Sequence, residues 1–215
     1  MVSHRRLLLG AALLTLAVAH PLRAQRVQDW QYRWYWGLKG GMIGYTLPTT
    51  GQSFNPSLGA EWVITQRRVA LYLGYAQSFS AEADTFAVNG LTGTNNFVEF
   101  DGYKQIQINI IAFIGDKPLQ PYVGGGFVLV TLTNARQTAA SATVATAIDN
   151  AASGGFIQVM GGAQLRFARK GALFAQYQYT PQGRDFLLAG GAHAVSGGVR
   201  WAFLSSKEAD PTTRR

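Results

Sequence analysis

Residues 103–113 read YKQIQINIIAF. From Lys104 to Ile110 the even positions after the first are Ile, and the odd positions are Gln or Asn. A strand sends alternate side chains to opposite faces. Ile106, Ile108 and Ile110 therefore share one face, and Gln105, Gln107 and Asn109 the other. The alternation fixes a strand and leaves open which face is outside. In a water-soluble barrel the isoleucines point in; in a membrane barrel they point out, into lipid.

The same period recurs along the chain. In RWYWGLKGGMIGY (33–45), Trp34, Trp36, Leu38 and Met42 oppose Arg33, Tyr35, Lys39 and several glycines. In SLGAEWVIT (57–65), Leu58, Ala60, Trp62 and Ile64 oppose Ser57, Gly59, Glu61 and Thr65. In FIQVMGGAQLRF (156–167), Ile157, Val159, Ala163, Leu165 and Phe167 oppose Gln158, Met160, Gln164 and Arg166. Leu173, Ala175, Tyr177 and Tyr179 oppose Phe174, Gln176 and Gln178, and in 193–203 Val195, Val199, Trp201 and Phe203 oppose Ser196, Gly198 and Arg200. The stretch QPYVGGGFVLVTL (120–132) fits either parity.

Eight segments of this kind are expected near 32–45, 57–66, 68–79, 97–114, 119–133, 154–168, 171–180 and 192–204. The connections at 46–56, 80–96, 134–153 and 181–191 are long and rich in Thr, Ser, Asn, Ala and Gly; those at 66–67, 115–118 and 168–170 are short. Long and short connections alternate, with an even number of strands and both chain termini on the short-turn side. That is the order of an up-and-down transmembrane barrel. The one helix-like stretch past the N-terminus is ATVATAIDNAA in the third long loop, with no evident cap.

Composition agrees. The 215 residues include 25 Gly, 12% aromatics and 14% charged residues, a low charged fraction beside the quarter or so of soluble domains. Mean hydropathy is near zero, which excludes a helical membrane protein. The absence of Cys excludes disulfides and thiolate metal sites. Residues 1–24 have basic Arg5 and Arg6, an apolar run from Leu7 to Ala19, Pro21 and a small Ala24, the form of a secretory signal peptide. The run is too short to span a bilayer. Cleavage after Ala24 removes Arg5, Arg6 and Arg23 and lowers the formal charge from +8 to +5. Nucleic acid is not an expected partner. The expected domains are the signal peptide 1–24, an all-β eight-stranded antiparallel transmembrane barrel over 25–204, and a short polar tail over 205–215.

Three features turn the apolar face toward lipid. The polar face mixes charges of both signs, which a narrow interior can pair: Arg33, Lys39, Glu61, Glu99, Asp101, Arg166 and Arg200, with Gln105, Gln107 and Gln164 among them. The apolar face carries Trp34, Trp36, Trp62, Tyr177, Tyr179, Trp201 and Phe203, mostly near strand ends, where membrane-interface girdles lie. Small residues (Gly37, Gly41, Gly59, Gly74, Gly162, Gly198) dot the polar face, as a barrel of about eight strands requires. A secreted lipocalin-like barrel with the Ile row inside would leave too few charges for its outer face.

The stretches WGLKGGMIGY (36–45), SLGAEWVI (57–64), QPYVGGGF (120–127) and HAVSGGVRWAF (193–203) give the chain a resemblance to the OmpA/OmpX-type eight-stranded outer-membrane barrels of Gram-negative bacteria. The last resembles the barrel-assembly signal, a terminal strand ending in an aromatic. It departs from that pattern because LSSKEADPTTRR follows Phe203. The resemblance implies residence in the outer membrane, contact with its lipid and lipopolysaccharide, and handling by the barrel-assembly machinery.

Chemistry is sparse. His193 is the single histidine after the signal peptide, and no cofactor or metal site is expected. Ser196 lies three residues on, on the opposite face, and Val195 stands where outer-membrane lipid A deacylases place a serine two residues from the histidine. Glu99 and Asp101 share a face and read as ion-pair partners of the lumen cations. YVGGGF lacks the lysine and helix of a phosphate loop. The turn basics Arg67, Arg68, Arg169 and Lys170 read as headgroup contacts or solvated charges. The expected role is structural or surface-interacting, with no enzymatic activity and a lumen plugged by polar and charged side chains. The extracellular ligand is unnamed by the sequence. The alternatives are a small-solute or ion pore and a lipid A-modifying acyl hydrolase or acyltransferase.

Overall fold

A computed structural model describes residues 31–86, 88, 96–115, 117–138, 141–168, 170–188 and 190–207, with the side chains of 31 and 204–207 excepted. The expected signal peptide 1–24, Arg169 and residues 208–215 lie outside the described residues.

Eight of the strands close into one barrel: β1 (Gln31–Leu47), β2 (Gly51–Gln66), β3 (Val69–Ser78), β6 (Gly102–Phe113), β7 (Leu119–Thr133), β8 (Ser153–Arg166), β9 (Gly171–Gln182) and β10 (Gly190–Lys207). Every neighbouring pair is antiparallel and follows chain order. β1 and β10 close the ring, from Gln31 opposite Lys207 to Gly44 opposite His193, with a bulge between Trp34 and Tyr35. Closure leaves no strand edge unpaired, which a lipid environment demands. At the closing seam Gly41 and Gly198 are required by space. A Cβ on Gly198 would collide with the Leu38 carbonyl, and one on Gly41 with the Val195 carbonyl.

The faces settle the opening question. Ile106, Ile108 and Ile110 are 51%, 55% and 63% exposed, whereas Gln105, Gln107 and Asn109 are 3%, 0% and 1% exposed. The apolar row is outside. The undecided strand β7 takes the odd-outside parity: Phe127 and Leu129 face out, and Tyr122, Val128, Val130 and Leu132 face in.

Four local expectations are corrected. The first long loop, 46–56, is a tight turn at 48–50, because both strands continue past the apolar pattern and Gly51 takes the left-handed φ of +88° that the turn needs. The segment 97–114 is two strands, not one. β5 (Asn96–Phe100) pairs with β4 (Glu82–Phe86) in a separate hairpin, and the chain bends at Asp101 before β6. The Ala-rich stretch is a real helix, α1 (Ala142–Ala151), and it is capped: Ser141 Oγ accepts from Val144 N at 3.4 Å. β10 runs to Lys207, past the expected end of the barrel at 204.

The interior holds two apolar clusters. At the short-turn end Tyr35, Val63, Ala70, Ile111, Phe113, Met160 and Ala202 pack with the rings of Tyr72 and Tyr122. At the long-loop end the strand residues Ile43, Leu47, Val128, Val130 and Leu132 meet side chains from the loops: Phe86, Val98 and Phe100 from β4–β5, Ile148 from α1, and Phe186, Leu187 and Leu188. Backbone bonds tie these loops together. Leu187 N donates to Ala151 O (2.9 Å), Leu132 N to Ala152 O (2.8 Å), and Glu99 and Arg136 exchange a pair (2.8 Å each).

Candidate functional site

Two regions carry the polar side chains that function can draw on: the lumen between the apolar clusters and the loop assembly above it. Strand alternation puts Lys39 (β1), Glu61 (β2), Tyr72 (β3), Tyr122 (β7), Gln164 (β8), Gln176 (β9) and Arg200 (β10) on the inner wall, all buried. They form one chain of hydrogen bonds. Lys39 Nζ donates to Tyr72 Oη (2.8 Å), as does Gln176 Nε2 (3.2 Å), and Tyr122 Oη donates to Gln176 Oε1 (2.9 Å). Arg200 Nη1 donates to Gln164 Oε1 (2.9 Å), whose Nε2 reaches Gln120 Oε1 (2.9 Å).

Arg200 is the centre of this chain. Its Nε donates to Glu61 Oε1, its Nη2 to Tyr122 Oη at 3.4 Å, and its guanidinium lies 4.1 Å from the centre of the Phe174 ring. A wholly buried guanidinium needs its donors met and its charge balanced, and the stack on Phe174 covers one face of the plane. Gly37 makes the seat for Glu61, since a Cβ there would fall 2.7 Å from Glu61 Cγ. A second tier of amides lies alongside. Gln107 and Gln178 exchange bonds (3.2 and 2.9 Å), and Asn109 donates to Gln158 (3.0 Å), which donates to Thr180 (3.1 Å).

Of the expected lumen residues, Lys39, Glu61, Gln105, Gln107, Gln164 and Arg200 lie buried within the barrel. Arg33 and Arg166 are half-buried near the short turns. Glu99 and Asp101 are corrected. They stand in the loop assembly, where Arg136 lies 3.8 Å from Glu99 and 3.5 Å from Asp101, with side chains about half exposed. The reason is the break at Asp101: β5 belongs to the hairpin with β4, and its inward face is that of Val98 and Phe100, so Glu99 lies on the other face. Asn134 Nδ2 donates to Asp101 at 2.7 Å, and that bond, with the Arg136 charge, holds the exposed Asp101 carboxyl below its usual range.

The sequence reading missed Tyr72 and Tyr122, because a tyrosine in an alternating strand reads as apolar. Their parity was a usable signal. Tyr72 lies two residues from Gly74, and a Cβ on Gly74 would meet the Tyr72 ring at 2.7 Å. Gln158, Gln176 and Gln178 sat on the polar face of their strands in plain view.

The loops are anchored by Asp84 in β4. Its Oδ2 accepts from Thr49 N (2.9 Å), Thr50 N (3.1 Å) and Thr50 Oγ1 (3.2 Å), and Oδ1 from Thr85 N (2.6 Å). Burial alone raises this carboxyl, but the hydrogen bonds from the 49–50 turn and from Thr85 outweigh it and bring it down from 3.8 to about 2. Glu82 Oε1 accepts from Ser53 Oγ (2.5 Å) and Asn55 Nδ2 (3.0 Å). The β4–β5 hairpin is thus clamped to the β1–β2 turn by two carboxylates.

Outside, the aromatics form groups at the two ends. Trp34, Trp36, Trp62 and Phe203 touch one another near the short turns: Trp36 stacks on Trp62 (5.5 Å, 4°), and Phe203 lies 6.2 Å from both Trp34 and Trp36. Trp201 pairs across the seam with Trp36. Nearer the loops, His193 packs against Tyr177 and Tyr179, and its Nδ1 lies 2.6 Å from Tyr177 Oη.

No family model matches the chain, and no curated protein matches it. Solved structures do. Neisserial surface protein A is 15% identical, with a TM-score of 0.54 over 79% of this chain and 97% of that one. This is the eight-stranded outer-membrane barrel fold. The N-terminal barrel domain of Pseudomonas aeruginosa OprF (15% identity, TM-score 0.45, covering 78% and 97%) and OprG of the same organism (10%, 0.45, covering 85% and 97%) match less closely. A closed barrel with an apolar exterior and aromatics toward both ends belongs in the bacterial outer membrane.

Proposed function

We propose that the protein is a non-conducting outer-membrane barrel with a structural or surface-interaction role, its lumen plugged by side chains and its long-loop end the surface that meets partners. The observation that carries this reading is the filling of the interior from end to end: an apolar cluster, the Arg200–Glu61 network, and a second apolar cluster to which three loops contribute. Interiors of this width are filled rather than open. The loops are held in one arrangement by Asp84, Glu82 and the backbone pairs to Arg136, so they offer a fixed surface rather than a gate. Binding residues concentrate on loops that a rigid scaffold positions.

Lipid and lipopolysaccharide are the partners of the exterior belt, and the barrel-assembly machinery is the partner of the last strand, β10. Catalysis forms no part of the reading. His193 faces outward against two tyrosines, Ser196 lies on the opposite face, and the residue beside them on the outer face is Val195. The test is conductance of the purified protein in a planar bilayer. The expected result is no steady single-channel current; a steady current would replace this reading with the pore.

A further inference from the structure

We propose that the short-turn end of the barrel is a docking surface for anionic phospholipid headgroups of the periplasm-facing leaflet. This rests on the reading of the protein as an outer-membrane barrel, whose short turns face the periplasm. Charge is divided between the two ends. The described acids other than Glu61 are Glu82, Asp84, Glu99, Asp101, Asp149 and Asp185, and all belong to the long-loop end. The short-turn end carries Arg33, Arg67, Arg68, Lys117, Arg166 and Lys170, and no described acid. Asp116 and Arg169, of opposite sign, belong to these turns and lie outside the described residues.

The backbone fixes the cations in a rim. Arg67 and Arg68 make the β2–β3 turn, Lys117 stands in the β6–β7 turn and Lys170 in the β8–β9 turn, all exposed. Each turn is bonded to the strand beyond it: Phe113 N donates to Arg68 O (2.7 Å), Arg166 N to Pro118 O (2.9 Å) and Ala202 N to Lys170 O (2.7 Å). Two of these turns bracket the tryptophans. β2, which carries Trp62, runs directly into Arg67 and Arg68. On the far side Lys170 meets β10 at Ala202, between Trp201 and Phe203, and its neighbour Gly171 pairs with Trp201. Trp34 and Trp36 lie between the two turns, on β1. Interfacial tryptophans mark headgroup depth, so the cations stand at the level of lipid phosphates. A phospholipid meets both features at once, with its acyl chains against the apolar wall and its phosphate on a guanidinium or ammonium. A soluble acidic macromolecule would use the cations and leave the tryptophans aside. Lipid is therefore the occupant that the surface fits.

The test reads the chain's own fluorescence. Of its five tryptophans, Trp34, Trp36, Trp62 and Trp201 lie at the short-turn end, and Trp30 immediately precedes β1 in the sequence, so the emission reports that end. The mature chain is reconstituted into phosphatidylcholine vesicles holding a minor fraction of lipid brominated near the headgroup end of its acyl chains, either phosphatidylglycerol or phosphatidylcholine. At equal mole fraction the phosphatidylglycerol should quench more strongly, by a local enrichment of roughly two- to fivefold, up to the worth of one cation near an anionic surface. The excess should vanish in about 1 M salt, where charges are screened within ~3 Å. It should vanish also in the Arg67→Asn, Arg68→Gln, Lys170→Gln chain, asparagine being chosen because Arg67 has a φ of +54°. Equal quenching by the two lipids overturns the proposal while leaving the barrel in the membrane. An excess that salt or the triple variant does not reduce overturns it as well. Equal quenching with polyglutamate binding to the reconstituted barrel would give the rim to a soluble acidic macromolecule instead. Quenching by neither lipid would overturn the membrane reading along with the proposal. The salt series on the unaltered chain decides the matter even where the variant does not fold.

Discussion

At the scale of single residues the ion pair in the lumen sets the largest expectation. Removing Glu61 leaves the Arg200 guanidinium buried without its counter-charge. Glu61→Ala should lower unfolding stability in detergent by about 3–5 kcal/mol, the usual range for breaking a buried pair. Changing both members, Glu61→Gln with Arg200→Met, should recover part of that loss, because the guanidinium is then no longer buried without its partner. A double-variant midpoint no higher than that of Glu61→Ala would show that the pair is not the relevant unit. Asp84 supplies a pH dependence of definite sign. Its carboxyl is depressed in the folded state, to about 2 from 3.8. The stability it contributes is therefore full above the ordinary carboxylate range and is lost as pH falls through about 2. Asp84→Asn should remove that acid dependence in the loop assembly while leaving the barrel closed. Amide exchange at Thr49 and Thr50, which donate to this carboxylate, reports it directly.

At the scale of elements, α1 and the closing seam behave differently. Ser141→Ala removes the cap and should destabilise α1 by about 1 kcal/mol, visible as faster amide exchange at Val144 and no change in the barrel. Gly198→Leu places a side chain against the Leu38 carbonyl at the β1–β10 junction. That variant should fail to give the compact, heat-modifiable species on a gel; normal closure would contradict the assigned seam. The barrel strands were legible in the sequence because their two faces meet opposite media, and YKQIQINIIAF carries that contrast over many residues. The β4–β5 hairpin was not. NFVEF continues the same two-residue period, and alternation identifies a strand without naming its partner, so Glu99 and Asp101 were placed in the lumen. The Asp101–Gly102 bend was the only local mark of the break. Likewise α1 hid in a loop because its cap is a lone serine with no charged residue in its first turn.

For the molecule as a whole, the interior follows the taper between two apolar ends and a polar middle. Parity alone gave that only in part. Lys39, Glu61, Gln107, Gln164 and Arg200, which parity puts on the polar face, are buried, since charges and amides cannot face hydrocarbon. Parity could not show that the loops return apolar side chains such as Phe100, Ile148 and Leu188 to cover the top, because that is a long-range packing outcome. The closed ring also predicts a gross property. The folded protein should stay compact in cold dodecyl sulfate and migrate faster than the boiled chain, and equal migration would contradict closure.

The central claim is orientation: isoleucines to lipid, amides within. The chain has no cysteine, so a nitroxide can be attached at Ile106, Ile108 or Ile110 alone, each changed to Cys, in protein reconstituted into bilayers. Power-saturation electron paramagnetic resonance then compares relaxation by oxygen, which concentrates in hydrocarbon, with relaxation by a water-soluble nickel chelate. The account predicts strong oxygen and weak nickel relaxation at all three positions. Strong nickel relaxation, or equal shielding from both, would place the isoleucine row in water or in the core and contradict it.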